Sequence, residues 1–365
     1  MRIVFERRLE PSRSVAILVP IGSFVLALIV GGVLLLAAGA NPLETYKAMF
    51  DGAFGTDYGR SETLVKAIPL MLAGLAVSIA FRMLFWNIGA EGQLAMGALV
   101  TAWIPLFVLK DSSLPPGVLL IVMGVAAFGA GAIWGLIPAA LKAYLRVNEI
   151  ITTLMLNYIA ILLMDWLYTG PWKDKQGYGF PGTASIKDIA ALPRLPEWMG
   201  AGRVHVGIII AIVAAALIWV ILLKTRWGYE IRVIGENPQA ARYAGISLVR
   251  NILLVMILSG GLAGLAGYGQ VAGIAFRLQK GIAVGDGFTA IIVAWLAKLH
   301  PAGVIIVAIL MAGLSTGGDQ ITISMGLPAA MSRVLQGAIL FFVLGGEIFV
   351  RYRLRLIRPA EAPHA

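Results

Sequence analysis

The stretch FWNIGAEGQLAMG, residues 85–97, sets Asn87, Glu91 and Gln93 among Gly89, Gly92 and Gly97 in a chain that is otherwise mostly Leu, Ile, Val and Ala. A carboxylate and two amides in apolar surroundings can meet a polar solute, relay a proton or tie neighbouring helices together. A second polar cluster lies in VNEIITTLMLNYIA, residues 147–160, where Asn148 and Glu149 are followed by Thr152, Thr153 and Asn157. Thr153 and Asn157 are four residues apart and share one helical face. An ionisable group at bilayer depth costs at least about 2.5 kcal/mol on insertion scales, so Glu91 is expected against protein or water and not lipid. Helical spacing through residues 87–95 places Asn87, Glu91 and Ala95 on one face, with glycines that let a neighbouring helix approach. Asn87, Glu91, Gln93 and Asn157 are therefore the candidates for a substrate pathway. Two other readings stay open: hydrogen bonds between helices, worth roughly 0.6 kcal/mol each, and, for Glu91 and Glu149, a place at a cytoplasmic helix end in contact with water.

Other chemistry finds little support. The chain has no cysteine and only three histidines, His205, His300 and His364, far apart in sequence, so no metal site and no disulfide framework is expected. No H-E-x-x-H or paired-carboxylate arrangement marks a catalytic residue. There is no Gly-Lys dipeptide and hence no P-loop, so no cofactor is expected in this chain and any ATP is used by a partner. The net charge of +10 comes from basic residues at helix ends and in short loops, without the aromatic-interleaved basic surface of a nucleic-acid binder.

The elements that must position these residues are membrane helices. Hydrophobic residues make up 59% of the 365 and charged ones 13%, against the roughly 45–50% apolar content of soluble domains. Apolar runs reach the about 20 residues a helix needs to cross about 30 Å of hydrocarbon. The fold expected is all-α: a polytopic helical membrane protein of about 8–10 transmembrane helices with interrupted or re-entrant segments. The spans read near 15–39, 63–83, 88–109, 117–145, 148–169, 205–223, 250–270, 287–299, 302–318 and 332–350. The first follows a basic start but is too long for a signal-peptide core, and is read as an uncleaved span. A cytoplasmic N-terminal segment (1–14), a transmembrane domain (15–350) and a basic cytoplasmic tail (351–365) follow. With the N-terminus inside, Lys142 and Arg146, the stretch 224–250, Lys298 and the tail RYRLRLIRP all fall on the cytoplasmic side, as the positive-inside bias requires. The acidic loop 41–62 then lies outside.

Two segments interrupt this regular pattern. GFTAIIVAWLAKL, 287–299, is too short to span comfortably and precedes Pro301, and 85–97 is a similarly broken piece in the first half. Interrupted segments in both halves of a transporter point to its pathway, while close helix packing explains the glycines equally well. No internal repeat is visible by alignment. The loop 224–249 holds ENPQAARYAG, a short helix by its signals: Asn237 as N-cap, Pro238 at the first position and Gly245 at the end. Such capping reads as a docking element. The outward segment 170–203, rich in Pro, Gly and aromatic residues, reads either as the meeting place for an extracytoplasmic partner or as a packed cover.

WNIGAEGQLAMGA resembles the N-I-G-x-E-G-Q signature of ATP-binding-cassette importer permeases of the branched-chain amino acid and simple-sugar superfamily, in particular the nucleoside and simple-sugar subgroup. The likeness continues through NEIITTLMLNYIA, Gly170-Pro171, GENPQAARYAGI and GFTAIIVAWLAKLHPAGVIIVAIL, covering about residues 60–350. It implies a permease subunit, not an enzyme, in the bacterial cytoplasmic (inner) membrane, with both termini cytoplasmic. The implied partners are a cytoplasmic ABC ATPase, a second homologous permease and an extracytoplasmic, lipoprotein-type binding protein, with membrane lipid around the chain and no nucleic acid. The cargo implied is a nucleoside or simple sugar, and the element around 228–247 is implied to couple to the ATPase, through Gly228, Gly235, Asn237, Ala241 and Gly245. Where the family usually carries LLGRNNP, this chain has WLAKLHP, which leaves Lys298 and His300 without an inherited role. The alternative is a proton-coupled secondary transporter using Glu91 or Glu149. An intramembrane enzyme would need convergent acid, base or metal groups that this sequence lacks.

Overall fold

The computed structural model describes residues 2–7, 13–110, 112, 114–177, 179–186, 190–196, 202–328 and 330–357. The outermost parts of both tails (1, 8–12 and 358–365) and stretches 187–189 and 197–201 of the outward segment lie outside the described residues. Strand β1 (Arg2–Arg7) is followed by helices α1 (Arg13–Ala37), α2 (Pro42–Phe50), α3 (Asp57–Arg82), α4 (Ala90–Trp103), α5 (Pro116–Leu145), α6 (Glu149–Thr169), α7 (Gly207–Lys224), α8 (Arg226–Glu236), α9 (Pro238–Tyr243), α10 (Leu248–Gln270), α11 (Asp286–Leu296), α12 (Pro301–Met325) and α13 (Ala330–Arg351), then strand β2 (Tyr352–Ile357). Single π-turns extend α4 to Val108 and α10 to Ala275. Among the described residues eight helices are long and apolar enough to cross a bilayer, so the chain is a multi-pass helical membrane protein.

The chain divides into two compact units, residues 54–313 and the two ends, 1–53 with 314–365. In the unit of the ends, α1 packs along α13, around a core of Leu35, Met49, Ile321, Leu327 and Leu335. Tyr46 Oη donates to the Leu28 carbonyl at 2.6 Å, across the 114° bend between α1 and α2. The expected outer loop 41–62 is thus helical in large part. The reason is local: Asn41 caps α2 by accepting from the Leu43 amide, and Pro42 fills the first turn. The two tails are likewise more than tails. β1 pairs antiparallel with β2, Arg2 opposite Ile357 and Arg7 opposite Tyr352.

In the unit 54–313, α10 packs against α3, α4 and α5. A Cβ on Gly264 would overlap the Ala127 carbonyl, and one on Gly131 would overlap that of Gly260. These small residues bring the backbones close enough for dispersion and polar contacts to hold the helices where lipid removes the hydrophobic drive.

Two helices in this unit start partway across. α3, at 26 residues, is about 39 Å long. Its end at Arg82 meets the end of α11, with Arg82 Nη2 donating to the Leu299 carbonyl at 3.4 Å, and Gly74 lies beside Val293. The 11 residues of α11 therefore run parallel to the second half of α3, about 16 Å. On the other side Ser259 Oγ donates to the Ala76 carbonyl while Gly269 lies beside Ile68, so α10 runs antiparallel to α3. The path is the same in both cases: a long helix, a left-handed residue (Leu84, φ 57°; Phe276, φ 55°), a non-helical stretch, then the shorter helix α4 or α11. With α3 and α10 opposed, the two pairs form an inverted arrangement that no sequence alignment displayed. Counting 83–108 and 276–296 each as one crossing, with α1, α3, α5, α6, α7, α10, α12 and α13, gives ten, an even number.

α10 with its π-turn (248–275) and α12 (301–325) outrun the expected 250–270 and 302–318, because polar residues such as Gln270 and Gln320 continue the helices. GLSTG, 313–317, matches the G-x-S-x-G spacing of a nucleophile elbow, but it lies inside α12 and not on the strand-to-helix turn that exposes a nucleophile.

Candidate functional site

The break between α3 and α4 is where the polar residues converge. Asn87 is not on a helix with Glu91: α4 begins only at Ala90, and the expected shared helical face does not exist. The backbone instead turns at Leu84 and runs through 85–89, and such irregular backbone in a membrane must find partners inside the protein. Asn87 Oδ1 accepts from the Gly89 amide at 3.0 Å and from Gln93 Nε2 at 3.1 Å. Its Nδ2 donates to Gln93 Oε1 at 3.0 Å and to Ser259 Oγ on α10 at 2.9 Å. Asn157 on α6 spans the same break, its Nδ2 donating to the Ile88 carbonyl and its Oδ1 accepting from the Gly92 amide, both at 2.8 Å. Thr153, one turn earlier, donates to the Glu149 carbonyl at 2.6 Å and reaches the Trp86 carbonyl at 3.5 Å. The amides thus satisfy backbone groups that an unbroken helix would have satisfied by itself.

Glu91 has a different partner. Its Oε1 accepts from the Gly285 amide at 2.7 Å and its Oε2 from the Gly287 amide at 2.5 Å, at the start of α11. Both oxygens are thereby satisfied by the first turn of that helix, beside Asp286. Asn87, Glu91, Gln93 and Asn157 are all exposed by 1% or less, so the structure assembles the four with their polar atoms directed at protein. Trp86 stacks on Trp295 of α11 with centroids 5.8 Å apart, and Phe81 joins them at 5.0 and 6.1 Å. Glu149 is elsewhere, at the α5–α6 turn, paired with Lys142 Nζ at 2.6 Å. Ser259 and Trp295 escaped the sequence reading; a lone serine in ILSGGLAGLAG was the available signal for the first.

The second feature is the α8–α9 element. Thr225 caps α8, and Ile231 and Ile234 bury its apolar face. Gly228 lies against the Ile221 carbonyl and Gly235 against that of Arg82, with no room for a Cβ at either. Asn251, missed in the sequence, ties α8 to α10: its Oδ1 accepts from Trp227 Nε1 and its Nδ2 donates to Glu230 Oε2, both at 2.8 Å. Arg232 Nη1 donates to the Leu222 carbonyl. Asn237 caps α9 by accepting from the Gln239 and Ala240 amides at 2.9 and 3.1 Å, and Ala241 is buried beneath. At its end the Ile246 amide donates to the Ala241 carbonyl and the Gly245 amide to that of Arg242, with Gly245 at φ 76°, a complete Schellman motif. The opposite face, with Glu236, Gln239 and Arg242, is exposed, and Tyr243 is 94% exposed.

On the remaining side, the outward segment packs onto the stretch before α11. The Thr183 amide donates to the Leu278 carbonyl at 2.9 Å, the Ile186 amide to Phe276 and the Leu192 amide to Ala272, both at 2.8 Å. His205 is fully buried there. Its Nδ1 accepts from the Gly207 amide at 3.1 Å, and burial pushes its pKa down to about 4. An open cavity of about 600 Å³ borders this segment, lined by Asp174, Phe180, Thr183, Arg277, Gln279 and Lys280, none of which belongs to the Asn87 cluster. Among the described residues no three His, Asp or Glu side chains are placed to hold a metal.

The family model described as branched-chain amino acid transport system / permease component matches residues 59–344. The glucose ABC transporter permease protein TsgB13 of Haloferax volcanii is 39% identical over 360 residues, covering 96% of this chain and 93% of that one. The guanosine ABC transporter permease protein NupP of Bacillus subtilis is 36% identical over 330 residues, covering 90% and 92%. The nucleoside ABC transporter permease protein NupB of Lactococcus lactis is 32% identical over 335 residues, covering 90% of each.

Proposed function

Because the chain belongs to the branched-chain amino acid transport permease family, a family of transport subunits and not of enzymes, we propose that it is the translocating half of an ATP-driven importer for a nucleoside or simple sugar. Relatives named for glucose and for guanosine support that cargo class. The importer sits in the cytoplasmic membrane of a bacterium, with both termini and the 226–245 element on the cytoplasmic side. A separate ABC ATPase binds and hydrolyses ATP, a second permease of the same kind completes the channel, and a lipoprotein-type binding protein delivers solute from outside.

The observation that carries this reading is the construction of α8–α9. A surface connector has no need of two backbone-tight glycines, two helix caps, a Schellman ending and a buried tie to α10. A rigid knob with an exposed Tyr243 does need them if it is to transmit force from an ATPase. Gly228, Gly235, Asn237, Ala241 and Gly245 are its structural residues. Asn87, Glu91, Gln93 and Asn157 form the wall of the solute pathway at the level where α4 and α11 begin, and broken helices at that level support the assignment.

Replacing Gly235 with Leu tests the coupling. A side chain there must displace the Arg82 carbonyl at the end of α3. In the fraction of variant complex that inserts and assembles with the ATPase, ATP hydrolysis is expected to continue and uptake of labelled guanosine or glucose, per assembled complex, to fall at least about tenfold, or about 1.4 kcal/mol of coupling. Normal uptake by that variant sinks the assignment. Uptake by the isolated chain in liposomes, driven by a proton gradient without ATP, would favour a secondary transporter instead.

A further inference from the structure

We infer that Glu91 is the joint through which α11 carries movement of the coupling element to the middle of the permease, a positioning residue that makes the N-termini of α4 and α11 move as one body. The inference rests on the reading of 226–245 as the coupling element.

The geometry at the joint is specific. Both carboxylate oxygens are occupied by amides of the same helix start, Gly285 at 2.7 Å and Gly287 at 2.5 Å. Gly287 closes the contact from the other side: a Cβ there would overlap the Glu91 amide and stand 2.6 Å from its Cα. The two helix starts therefore touch backbone to backbone, with the carboxylate clasping across the contact. A bidentate clasp fixes orientation as well as distance. The nearby Trp86–Trp295 stack adds contact, but stacked rings slide over one another at small cost.

Just beyond the far end of α11 (Asp286–Leu296), Arg82 links the chain to the coupling element. Arg82 donates to the Leu299 carbonyl at 3.4 Å, and the carbonyl of Arg82 is the surface on which Gly235 rests. Between these ends α11 has 11 residues and no proline, a rod of about 16 Å. Displacement at Gly235 is passed by contact to Arg82, to the end of α11, along that rod to Gly287, and by Glu91 to α4. Asn87, Gln93 and Asn157 hold the same break to α6 and α10, so pulling on Glu91 works against a fixed frame.

Spatial continuity alone does not establish coupling, so the test measures motion. The chain has no native cysteine, and Trp103 on α4 and Phe288 on α11 are 41% and 39% exposed. Spin labels on Trp103→Cys and Phe288→Cys lie on the order of 20 Å apart at 1.5 Å rise per residue. Their distance distribution is read by pulsed electron resonance on the permease–ATPase complex in nanodiscs, nucleotide-free and vanadate-trapped. The expected result is one narrow distribution, the same in both states. Glu91→Gln offers one acceptor and sets an NH2 group against an amide N–H; it is expected to broaden or split the distribution in both states, read on complex that still assembles with the ATPase. A distance that shifts between states by more than its own width in the labelled protein with Glu91 intact overturns the joint. So does a Glu91→Gln distribution identical to that of the unmodified protein. If the distances behave as expected but Gly235→Leu imports normally, the coupling assignment falls and the joint stands.

Discussion

Glu91 and Asn87 look alike in sequence, two polar residues four apart beside glycines, yet they serve different bonds. Asn87 repairs the backbone of the break on which it sits, and Glu91 holds a helix start 194 residues away. Two other residues carry consequences of their own. Leu299 has φ 56° directly after Lys298 at φ 51°, where the family pattern has Arg-Asn. A left-handed non-glycine residue costs about 1–2 kcal/mol, and Asn tolerates that region better. Leu299→Asn is therefore expected to stabilise the protein by about 0.5–1 kcal/mol, seen as a higher thermal unfolding midpoint in detergent; an equal or lower midpoint would show that the apolar contact of Leu299 outweighs its strain. His205 gives a pH dependence. The folded protein keeps the ring neutral down to about pH 4, whereas the unfolded chain takes up its proton near pH 6.5. Stability from this residue is complete above about pH 6.5, falls as pH drops toward 4, and levels off below, for a loss on the order of 3 kcal/mol. Unfolding midpoints at pH 7, 6 and 5 should fall in that order, and His205→Gln should flatten the slope. Parallel slopes would refute it.

At the scale of elements, capping chemistry explains both a success and an omission. Asn237-Pro238 and Gly245 define α9 from local sequence alone, and the structure repeats those roles. Asn41-Pro42 carries the same signal for α2, inside a segment whose acidic residues by themselves suit only an exposed loop. Asn237→Ala removes two capped amides and is expected to cost about 1 kcal/mol of local stability. Amide exchange over 239–246 should then quicken by roughly fivefold while α10 is unaffected; unchanged exchange would mean that α9 is held by packing on Ala241 and not by its cap. The half-helices α4 and α11 were legible only as anomalies, one too polar and one too short. Sequence spacing even suggested a continuous helix through Asn87, because periodicity cannot register that a backbone turn at Leu84 is stabilised by groups on α6 and α10.

For the molecule as a whole, close packing around α10 and the pairing of the chain ends are the features to test. Gly264→Leu places a side chain against the Ala127 carbonyl and 3.2 Å from Gly131 Cα. Overpacking of this kind costs about 1–3 kcal/mol or more, and that variant should be recovered in low yield as aggregate, whereas Gly22→Leu, with open space around it, should behave as the unmodified protein. Comparable yields for the two would remove the case for backbone contact. β1 pairs with β2, and the proposed topology has both termini cytoplasmic. Single cysteines at residues 14 and 243 should both be labelled from the cytoplasmic face, and a cysteine at 180 only from outside.

The sequence by itself determined that this chain crosses a membrane many times, nearly where each long apolar helix lies, and where α9 starts and stops. Those follow from local quantities: the transfer energy of some twenty consecutive side chains and hydrogen bonds spanning three or four residues. Tertiary structure decided what the polar residues do. Glu91 meets Gly285 and Gly287, Asn87 meets Ser259, and Arg82 meets Leu299 and Gly235 only after helices from distant parts of the chain have packed. A buried donor or acceptor must find a partner, but nothing local says which one, so the inverted pairing of α3–α4 with α10–α11 came into view only in three dimensions.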